Sequence, residues 1–244
     1  MNLAIDIGNS RSKAAIFSSG ELIDLMVADQ LSVHLMAELK RRFPALNQVI
    51  LSAVSGVSPD VVDYLKSAFP FFLALNHATP VPITNKYLTP ETLGLDRLAA
   101  AVGAKALFPG KDLLVIDAGT ALTFDLIERN GTFEGGNISP GMRSRFRSLH
   151  DFTENLPLVE ACAQWPDVGR TTEEAIRSGV LNGMIHEMDG TIDHFRNKLP
   201  ELQPVLTGGD ALFFERRLKN PIFVKFEITL IGLNRILEYN VEKL

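Results

Sequence analysis

The chain has 244 residues and a formal net charge of −5, with 46% hydrophobic and 22% charged residues, as in ordinary globular proteins. This length allows one large domain or two small ones with a substantial core, and the acidic balance argues against a nucleic-acid surface, which needs a basic face. Cys162 is the only cysteine, and we recognise no signal peptide or long apolar span. We therefore expect a cytoplasmic protein without disulfides, nucleic-acid partner or membrane attachment.

The first predicted element is a β-hairpin around a glycine-containing turn. Residues 3–7 and 14–17 are largely apolar runs, and Gly8 and Asn9 between them tolerate the positive φ of a tight turn. Asp6 at the strand end could hold magnesium against a phosphate, directly or through water. The polar side chains that could surround the phosphate, together with exposed backbone N–H groups, are those of Asn9, Ser10 and Lys13. An ordinary hairpin without a ligand is the alternative.

Strands and helices alternate after this hairpin, which indicates an α/β fold rather than a sandwich. In chain order we predict strands over residues 21–27, 49–54 and 71–75, and helices over residues 31–43 and 59–69. Residues 80–90 contain three prolines and one aromatic residue, Tyr87, and are predicted to be irregular.

A helix is predicted over residues 91–107, where apolar side chains recur at helical spacing. Gly94, Leu95, Asp96 and Arg97 fall within its first turns. Acidic residues at a helix start complement the helix dipole, so this position of Asp96 has a structural explanation as well as a functional one.

The second half repeats the layout of the first. Predicted strands cover residues 113–117, 121–127, 132–138 and 204–206, and predicted helices cover residues 142–150, about 172–195 and 224–239. Asp117 and Gly119 repeat Asp6 and Gly8 at a constant offset of 111 (117 − 6). A repeat of that length indicates two duplicated subdomains facing each other, and ligands favour such interfaces.

Three further features of the second half bear on function. Gly208 and Gly209, between a strand and a helix, form a second place where backbone can lie against a nucleotide. Thr171 and Thr172 precede the long helix; capping explains one threonine but does not require both. The short basic cluster fits a solvated helix face, with phosphate contact as the alternative; its members are Arg143, Arg145 and Arg147.

Several motifs of the chain, taken in order, resemble one known family. Asp6-x-Gly8-Asn9-Ser10, the repeated Asp117-x-Gly119-Thr120 and Gly208-Gly209 resemble the actin, Hsp70 and sugar-kinase superfamily. More narrowly, Tyr87-x-x-Pro90-x-x-Leu93-Gly94-x-Asp96-Arg97 is similar to type III pantothenate kinases. The motifs that fit the same family are Asp117-Ala118-Gly119-Thr120-Ala121-x-Thr123, Gly135-Gly136-x-Ile138-x-Pro140-Gly141 and Gly169-Arg170-Thr171-Thr172.

The resemblance implies a fold and an activity. The fold would comprise two duplicated actin/ribonuclease H-like subdomains, residues 1–110 and 111–244, each a mixed sheet flanked by helices, with the active site in the cleft between them. The activity would be ATP-dependent phosphorylation of pantothenate to 4′-phosphopantothenate, the first committed step toward coenzyme A.

Residue roles follow from the same resemblance. Asp96 would accept the proton of the pantothenate hydroxyl. The ATP site would comprise Asp6, Ile7, Gly8, Asn9, Ser10, Arg11, Ser12, Lys13, Thr120, Gly208 and Gly209. The pantothenate site would comprise Tyr87, Gly94, Leu95, Asp96, Arg97 and Thr172.

The resemblance also implies two kinds of cation and a homodimer. Magnesium would accompany ATP near Asp6, and Asp117 would bind potassium or ammonium. Thr172 would reach the pantothenate site of the neighbouring subunit. Independently of the family, the arginine of the Gly94–Arg97 segment suits a substrate carboxylate, which it can grip with two parallel hydrogen bonds.

Two alternatives come from other functional classes. A nucleotide-binding regulatory protein could keep this fold without kinase activity, although it would not need the intact Asp96 and Arg97. An Hsp70-like ATPase or a polyphosphate hydrolase would turn over ATP without added substrate, and would leave Tyr87 and the Gly94–Arg97 segment unexplained.

Overall fold

A computed structural model describes residues 1–8, 11–53 and 56–243. Within these ranges the strands are β1 (Asn2–Ile7), β2 (Ser12–Ser18), β3 (Glu21–Ala28), β4 (Gln48–Ala53), β5 (Phe71–Ala74), β6 (Thr84–Asn85), β7 (Leu113–Ala118), β8 (Ala121–Ile127), β9 (Thr132–Pro140), β10 (Gln203–Thr207) and β11 (Phe223–Val224). The α-helices are α1 (Val33–Arg42), α2 (Pro59–Ala68), α3 (Leu95–Leu107), α4 (Met142–Asp151), α5 (Thr172–Arg196), α6 (Ala211–Glu215) and α7 (Ile228–Val241). No described helix is long and apolar enough to cross a membrane.

The chain divides into two compact units. The first comprises Met1–Gly110, Asn130–Phe133 and Glu227–Leu244, and the second comprises Lys111–Arg129 and Glu134–Phe226. The C-terminal segment with α7, predicted within the second subdomain, has its contacts in the first unit, because α7 packs on α3 and on β1.

The first unit is built on a five-stranded sheet of order β3-β2-β1-β4-β5. Strand β1 pairs antiparallel with β2 and parallel with β4. Alternate side chains of these strands point to opposite faces: Leu3 and Ile5 pack with α1 and α2, while Ala4 packs with α3 and α7. Asp6, two residues beyond Ala4, therefore points to the same face as α3.

The second unit repeats this arrangement. Its sheet runs β11-β10-β7-β8-β9, and β6 follows β9 at the edge by pairing with the β9 residues Thr132 and Phe133, which count with the first unit. Strand β7 pairs antiparallel with β8 and parallel with β10, as β1 does with β2 and β4. Helices α4, α5 and α6 pack on one face through a continuous apolar core. The shared strand order confirms the predicted α/β fold of two duplicated subdomains.

Helices α3 and α7 approach each other through glycine. A Cβ atom on Gly232 would lie 1.7 Å from the carbonyl oxygen of Ala99, and one on Gly103 would lie 2.0 Å from that of Ile228. Only glycine permits this spacing without moving backbone. The contact fixes α3 against the C-terminal helix.

Two predicted helices begin later in the structure than expected. The helix expected from Glu91 begins at Leu95, because Pro90–Thr92 form a 3₁₀ turn and Leu93 is extended. The helix expected from Val224 begins at Ile228, because Phe223–Val224 pair with β10 instead. The short β6 and α6 were not predicted. Val54, the expected end of one strand, lies outside the described residues.

Candidate functional site

The end of β1 brings together a carboxylate, an ammonium group and a hydroxyl. Asp6 has Lys13 of β2 as its antiparallel partner and Ser52 of β4 as its parallel partner. Asp6 Oδ1 is buried and has no hydrogen-bond partner among the described residues. Such an oxygen can bind a cation or a hydrogen-bond donor.

The surroundings of Asp6 favour its protonated form. The pKa of Asp6 is raised from 3.8 to about 6, chiefly by burial and secondarily by the negative charge of Asp96, while the positive charge of Lys13 acts to lower it. Asp6 and Asp96 therefore interact electrostatically within the first unit. A bound cation would favour the ionised form and offset the burial.

A backbone hydrogen bond joins the two ends of the turn after β1, where a phosphate was predicted. The N–H of Gly8 donates to the carbonyl oxygen of Arg11 at 3.1 Å, which closes the turn. Arg11 is exposed and Ser12 is buried. Ile7 points into the core on the other face, so it can contribute only backbone groups to a ligand. Asn9 and Ser10, two predicted ATP contacts, lie outside the described residues.

Helix α3 presents Asp96 in its first turn. Gly94 is the N-cap, and Asp96 curls back so that the N–H of Arg97 donates to its Oδ1 at 2.8 Å. A Cβ atom on Gly94 would lie 2.5 Å from this oxygen, so glycine leaves the space that the carboxylate occupies. Leu95, also predicted at this site, is the first helical residue.

Arg97 and Tyr87 form a second pair in the same unit. Arg97 is 7% exposed, and its guanidinium carbon lies 5.7 Å from the centre of the Tyr87 ring. The ring centres of Tyr87 and Phe133 are 6.3 Å apart, and the N–H of Tyr87 donates to Asn85 Oδ1 at 2.9 Å. These contacts hold a cationic fork in place, which is suited to a carboxylate ligand.

In the second unit, Asp117 takes the position that Asp6 takes in the first. Its partners are Thr123 of β8 and Thr207 of β10. Gly208 has a φ of +97°, and a Cβ atom there would lie 2.4 Å from Asp117 Oδ1. Glycine therefore lets the backbone lie directly against this carboxylate.

The turn after β7 is anchored by the start of α4. The carbonyl oxygen of Thr120 accepts hydrogen bonds from the N–H of Gly141 at 3.1 Å and from Ser144 Oγ at 2.9 Å. The Thr120 residue is exposed, as is Gly209. Thr120 can therefore present its hydroxyl to a ligand while its backbone is fixed.

Thr172 is the first residue of α5 and is exposed. The cap is its neighbour: Thr171 Oγ1 accepts from the N–H of Glu174 at 3.2 Å, and Glu174 Oε2 accepts from the N–H of Arg170 at 2.8 Å. These two hydrogen bonds cap the start of α5, and capping accounts for Thr171 alone.

Sequence reasoning missed three residues beside these sites: Ser52, Thr207 and Asp210. Ser52 and Thr207 end buried strands, where a small polar residue closing an apolar run was the available signal. Asp210 follows the paired glycines; its N–H donates to the carbonyl oxygen of Ala118 at 2.9 Å. Burial raises the pKa of Asp210, and the positive charge of Arg143 lowers it, so Arg143 lies within electrostatic reach of this loop. Arg145 instead pairs with Glu187, and Arg147 with Asp151.

The donor groups fit the predicted cations. Magnesium prefers oxygen ligands, keeps several of its waters, and usually binds one or two carboxylates plus substrate phosphates. The unpartnered Asp6 Oδ1 suits that mode, and no cluster of three or more His, Cys, Asp or Glu residues that could hold a metal occurs among the described residues. The oxygen-bearing residues Asp117, Thr123 and Thr207 likewise suit a hard cation.

Comparison with known proteins identifies the relatives of this chain. A sequence model of the type III pantothenate kinase family matches residues 2–194. The type III pantothenate kinase of Phocaeicola vulgatus is 48% identical over 241 residues, covering 98% of this chain and 99% of that protein.

Two solved structures share the fold. A Baf-family protein from Campylobacter jejuni, described as a transcriptional activator, superposes with a TM-score of 0.64 at 22% identity, covering 98% of this chain and 99% of that one. The activator of 2-hydroxyisocaproyl-CoA dehydratase from Clostridium difficile, with bound ADPNP, gives a TM-score of 0.52 at 11% identity, covering 100% of this chain and 97% of that one. At these identities the likeness concerns the fold alone, which is the actin-like α/β fold.

Proposed function

Because this chain belongs to the type III pantothenate kinase family, which phosphorylates pantothenate to 4′-phosphopantothenate with ATP in the first step of coenzyme A biosynthesis, we propose that Asp96 is its general base. The observation that carries this proposal is the electrostatic interaction between Asp96 and the buried Asp6 within one unit. Asp6 lies at the strand end before the predicted phosphate turn, so a base near Asp6 would be near the transferred phosphoryl group.

The proposed reaction is the transfer of a phosphoryl group to an alcohol. As the hydroxyl oxygen of pantothenate attacks the γ-phosphorus of ATP, Asp96 takes the hydroxyl proton. The new oxygen–phosphorus bond forms while the bond between the γ-phosphorus and the bridging oxygen breaks, and ADP leaves. Such transfers depend on positioning and charge neutralisation more than on covalent chemistry from the protein.

Pantothenate would be oriented by the pair of Arg97 and Tyr87. The guanidinium group of Arg97 can bind the substrate carboxylate through two parallel hydrogen bonds, and the Tyr87 ring lies against the guanidinium group in a cation–π contact. Gly94 and Leu95 would add backbone groups at the start of α3, where N–H groups point away from the helix.

ATP would be held by both glycine-containing turns and the paired glycines. The first contribution comes from residues 6–13, and the second from Thr120, Gly208 and Gly209. Asp6 would hold magnesium, directly or through water, and Lys13 lies beside it in register. When bound, the magnesium ion neutralises phosphate charge during transfer.

Two further features are proposed for this enzyme. Asp117 would bind a potassium or ammonium ion, since a second carboxylate near a triphosphate needs its own cation. The enzyme would act as a homodimer in which Thr172 reaches the pantothenate site of the partner subunit; the exposed position of Thr172, with capping left to Thr171, supports this role.

The experiment that tests the general base is Asp96→Asn. The asparagine Oδ1 can still accept the N–H of Arg97, but the amide cannot take a proton. We expect kcat to fall by about 10²–10⁴, the usual contribution of a general base, with ATP affinity retained. A kcat within about threefold of wild type would contradict the proposal.

The matched control is Asp60→Asn. Asp60 lies in the first turn of α2, so both changes remove a favourable charge–dipole interaction worth about 0.3–1 kcal/mol. If Asp96 served only the helix dipole, both variants would lose that stability and keep kcat.

The two alternatives predicted from the sequence receive no support. The relative that is 48% identical matches this chain over nearly its full length, and its name refers to the kinase activity and not to a regulatory role. The alternative of an Hsp70-like ATPase or a polyphosphate hydrolase would require that the protein turn over ATP in the absence of pantothenate.

A further inference from the structure

Asp6 and Ser52, two residues that each bear a buried polar atom, are neighbours in register near the ends of β1 and β4. Asp6 and Ser52 are Cα partners in this parallel pairing, so their side chains point to the same face of the sheet. Asp6 Oδ1 and Ser52 Oγ are both buried, and neither has a hydrogen-bond partner among the described residues. Buried polar atoms in proteins are nearly always hydrogen-bonded, so the pair indicates a ligand that both atoms share.

The size and charge of the surroundings restrict that ligand. Ser52 is 0% exposed, so a large substrate group cannot reach its hydroxyl. A single water molecule or ion is small enough to do so. Lys13 and Asp96 interact with Asp6 and carry opposite charges. A carboxylate only accepts hydrogen bonds, and a hydroxyl oxygen can accept as well as donate, so one water can donate its two hydrogens to Asp6 Oδ1 and Ser52 Oγ.

We propose that Ser52 is a positioning residue of the magnesium site, whose hydroxyl and Asp6 Oδ1 together hold one water of the ion's hydration shell. Magnesium keeps several waters when one or two carboxylates and substrate phosphates bind it, so such a water is available. This inference rests on the proposed place of Asp6 at the magnesium–phosphate site.

The second unit supplies an independent parallel. Asp117 ends β7, and its partner on the neighbouring parallel strand is Thr207, which is also buried and also bears a hydroxyl. Both units thus place a hydroxyl residue beside the carboxylate that ends the central strand. Alanine in place of Ser52, or valine in place of Thr207, would fill nearly the same space without a buried hydroxyl, so simple packing does not account for either residue.

The test compares nucleotide binding with and without magnesium. The dissociation constant of a non-hydrolysable ATP analogue is measured by calorimetry in magnesium and in EDTA. The magnesium ratio, defined as the value in EDTA divided by the value in magnesium, reports how much the ion strengthens binding. We expect Ser52→Ala to lower this ratio about fivefold to tenfold, the worth of one hydrogen bond, with the value in EDTA changed less than about twofold. The melting temperature of the free protein should not fall, because no internal hydrogen bond is lost.

Ser178→Ala is the matched control. Ser178 is also a buried serine, but its Oγ donates to the carbonyl oxygen of Pro166 at 2.7 Å. Its loss should lower the melting temperature and leave the magnesium ratio unchanged.

Two results would overturn the inference. One is an unchanged magnesium ratio in Ser52→Ala. The other is a loss of binding that is as large in EDTA as in magnesium, which would mean that Ser52 shapes the turn whether or not the ion is present. Asp6→Asn separates this failure from that of the proposed function. If Asp6→Asn also leaves the ratio unchanged, the magnesium role of Asp6 itself is wrong; if only Ser52→Ala does so, Asp6 keeps its role and Ser52 has none.

Discussion

The guanidinium carbon of Arg97 lies 5.7 Å from the centre of the Tyr87 ring, and both residues belong to the same unit as Asp6 and Asp96. This cation–π contact helps to position a buried arginine. A planar fork held in one orientation is what two-point recognition of a carboxylate requires. The pair therefore offers the most direct test of how pantothenate is oriented.

We expect Arg97→Lys to raise the KM for pantothenate by about 10- to 100-fold, because a lysine cannot make two parallel hydrogen bonds or stack in the same way. The KM for ATP should stay within about twofold of wild type, far below that loss. Tyr87→Phe keeps the ring and should change little, whereas Tyr87→Ala should weaken pantothenate binding. Steady-state kinetics with each substrate varied in turn measure these effects.

Arg129→Lys is the control for this substitution. Arg129 also bonds a carboxylate through two nitrogens, at 2.9 and 2.6 Å from Asp112 Oδ2, but has no proposed role in binding. Equal changes in the KM for pantothenate in both lysine variants would show that Arg97 acts through general stability rather than contact.

The raised pKa of Asp6 predicts that its ionised form lowers the folding stability of the ligand-free protein. Because the folded pKa of about 6 exceeds the ordinary 3.8, the folded state binds more protons between these values, and this group lowers stability as pH rises from about 4 to 6. The cost at pH 7.5 corresponds to about 3 kcal/mol at most. Asp6→Asn should therefore raise the free energy of unfolding at pH 7.5, by about 1–3 kcal/mol, and abolish most activity.

Urea unfolding at pH 4 and pH 7.5, in EDTA and without nucleotide, measures this difference. At pH 4 the variant and wild type should be nearly equally stable. Asp24→Asn is the control, since Asp24 forms an exposed ion pair with Arg42 at 3.0 Å and its loss should cost less than about 1 kcal/mol. An Asp6→Asn protein less stable than wild type at pH 7.5 would refute the effect.

The proposed cation at Asp117 predicts selective activation. Turnover should require potassium or ammonium and fail with sodium alone, with ionic strength held constant by an organic cation. Asp117→Asn should remove this dependence along with most activity, because the carboxylate supplies the charge that holds the ion. Equal rates of the wild-type enzyme in the three salts would contradict the site.

Neighbouring threonines at the start of α5 separate substrate binding from capping. Thr172→Ala should raise the KM for pantothenate with little change for ATP. Thr171→Ala should instead lower stability by about 1 kcal/mol through loss of the N-cap hydrogen bond and leave both KM values near wild type. Light scattering at assay concentration tests the dimer, and an active monomer would exclude a shared site.

The glycine contact between α3 and α7 predicts opposite effects of one substitution at two positions. Gly232→Ala should destabilise the protein by about 1–3 kcal/mol or more, because its Cβ would overlap the Ala99 carbonyl oxygen. Gly179→Ala in α5 meets nothing within 4 Å and should stabilise by up to about 1 kcal/mol through helix propensity. Thermal and urea unfolding compare the two, and stabilisation by both would show that α7 can move away from α3.

Most of the strand and helix order could be predicted from sequence because apolar periodicity and proline positions encode it locally. The strand-end position of Asp6 and of Asp117 followed from the same patterns. The pairing of Phe223–Val224 with β10 could not be predicted, since two residues carry no periodicity and their structure is imposed by the neighbouring strand. Ser52 was missed for a related reason: its significance depends on lying beside Asp6 in register, which only strand pairing defines.

The place of α7 has a consequence for how the chain is made. The first 110 residues leave the ribosome early, yet the helix that packs against α3, which bears Asp96, is formed from residues 228–241, near the end of the chain. Domains generally fold as they emerge, N-terminal first. Here the first unit cannot complete its core until synthesis has passed through the whole second unit, so a nascent or truncated chain without α7 lacks the helix that packs against α3.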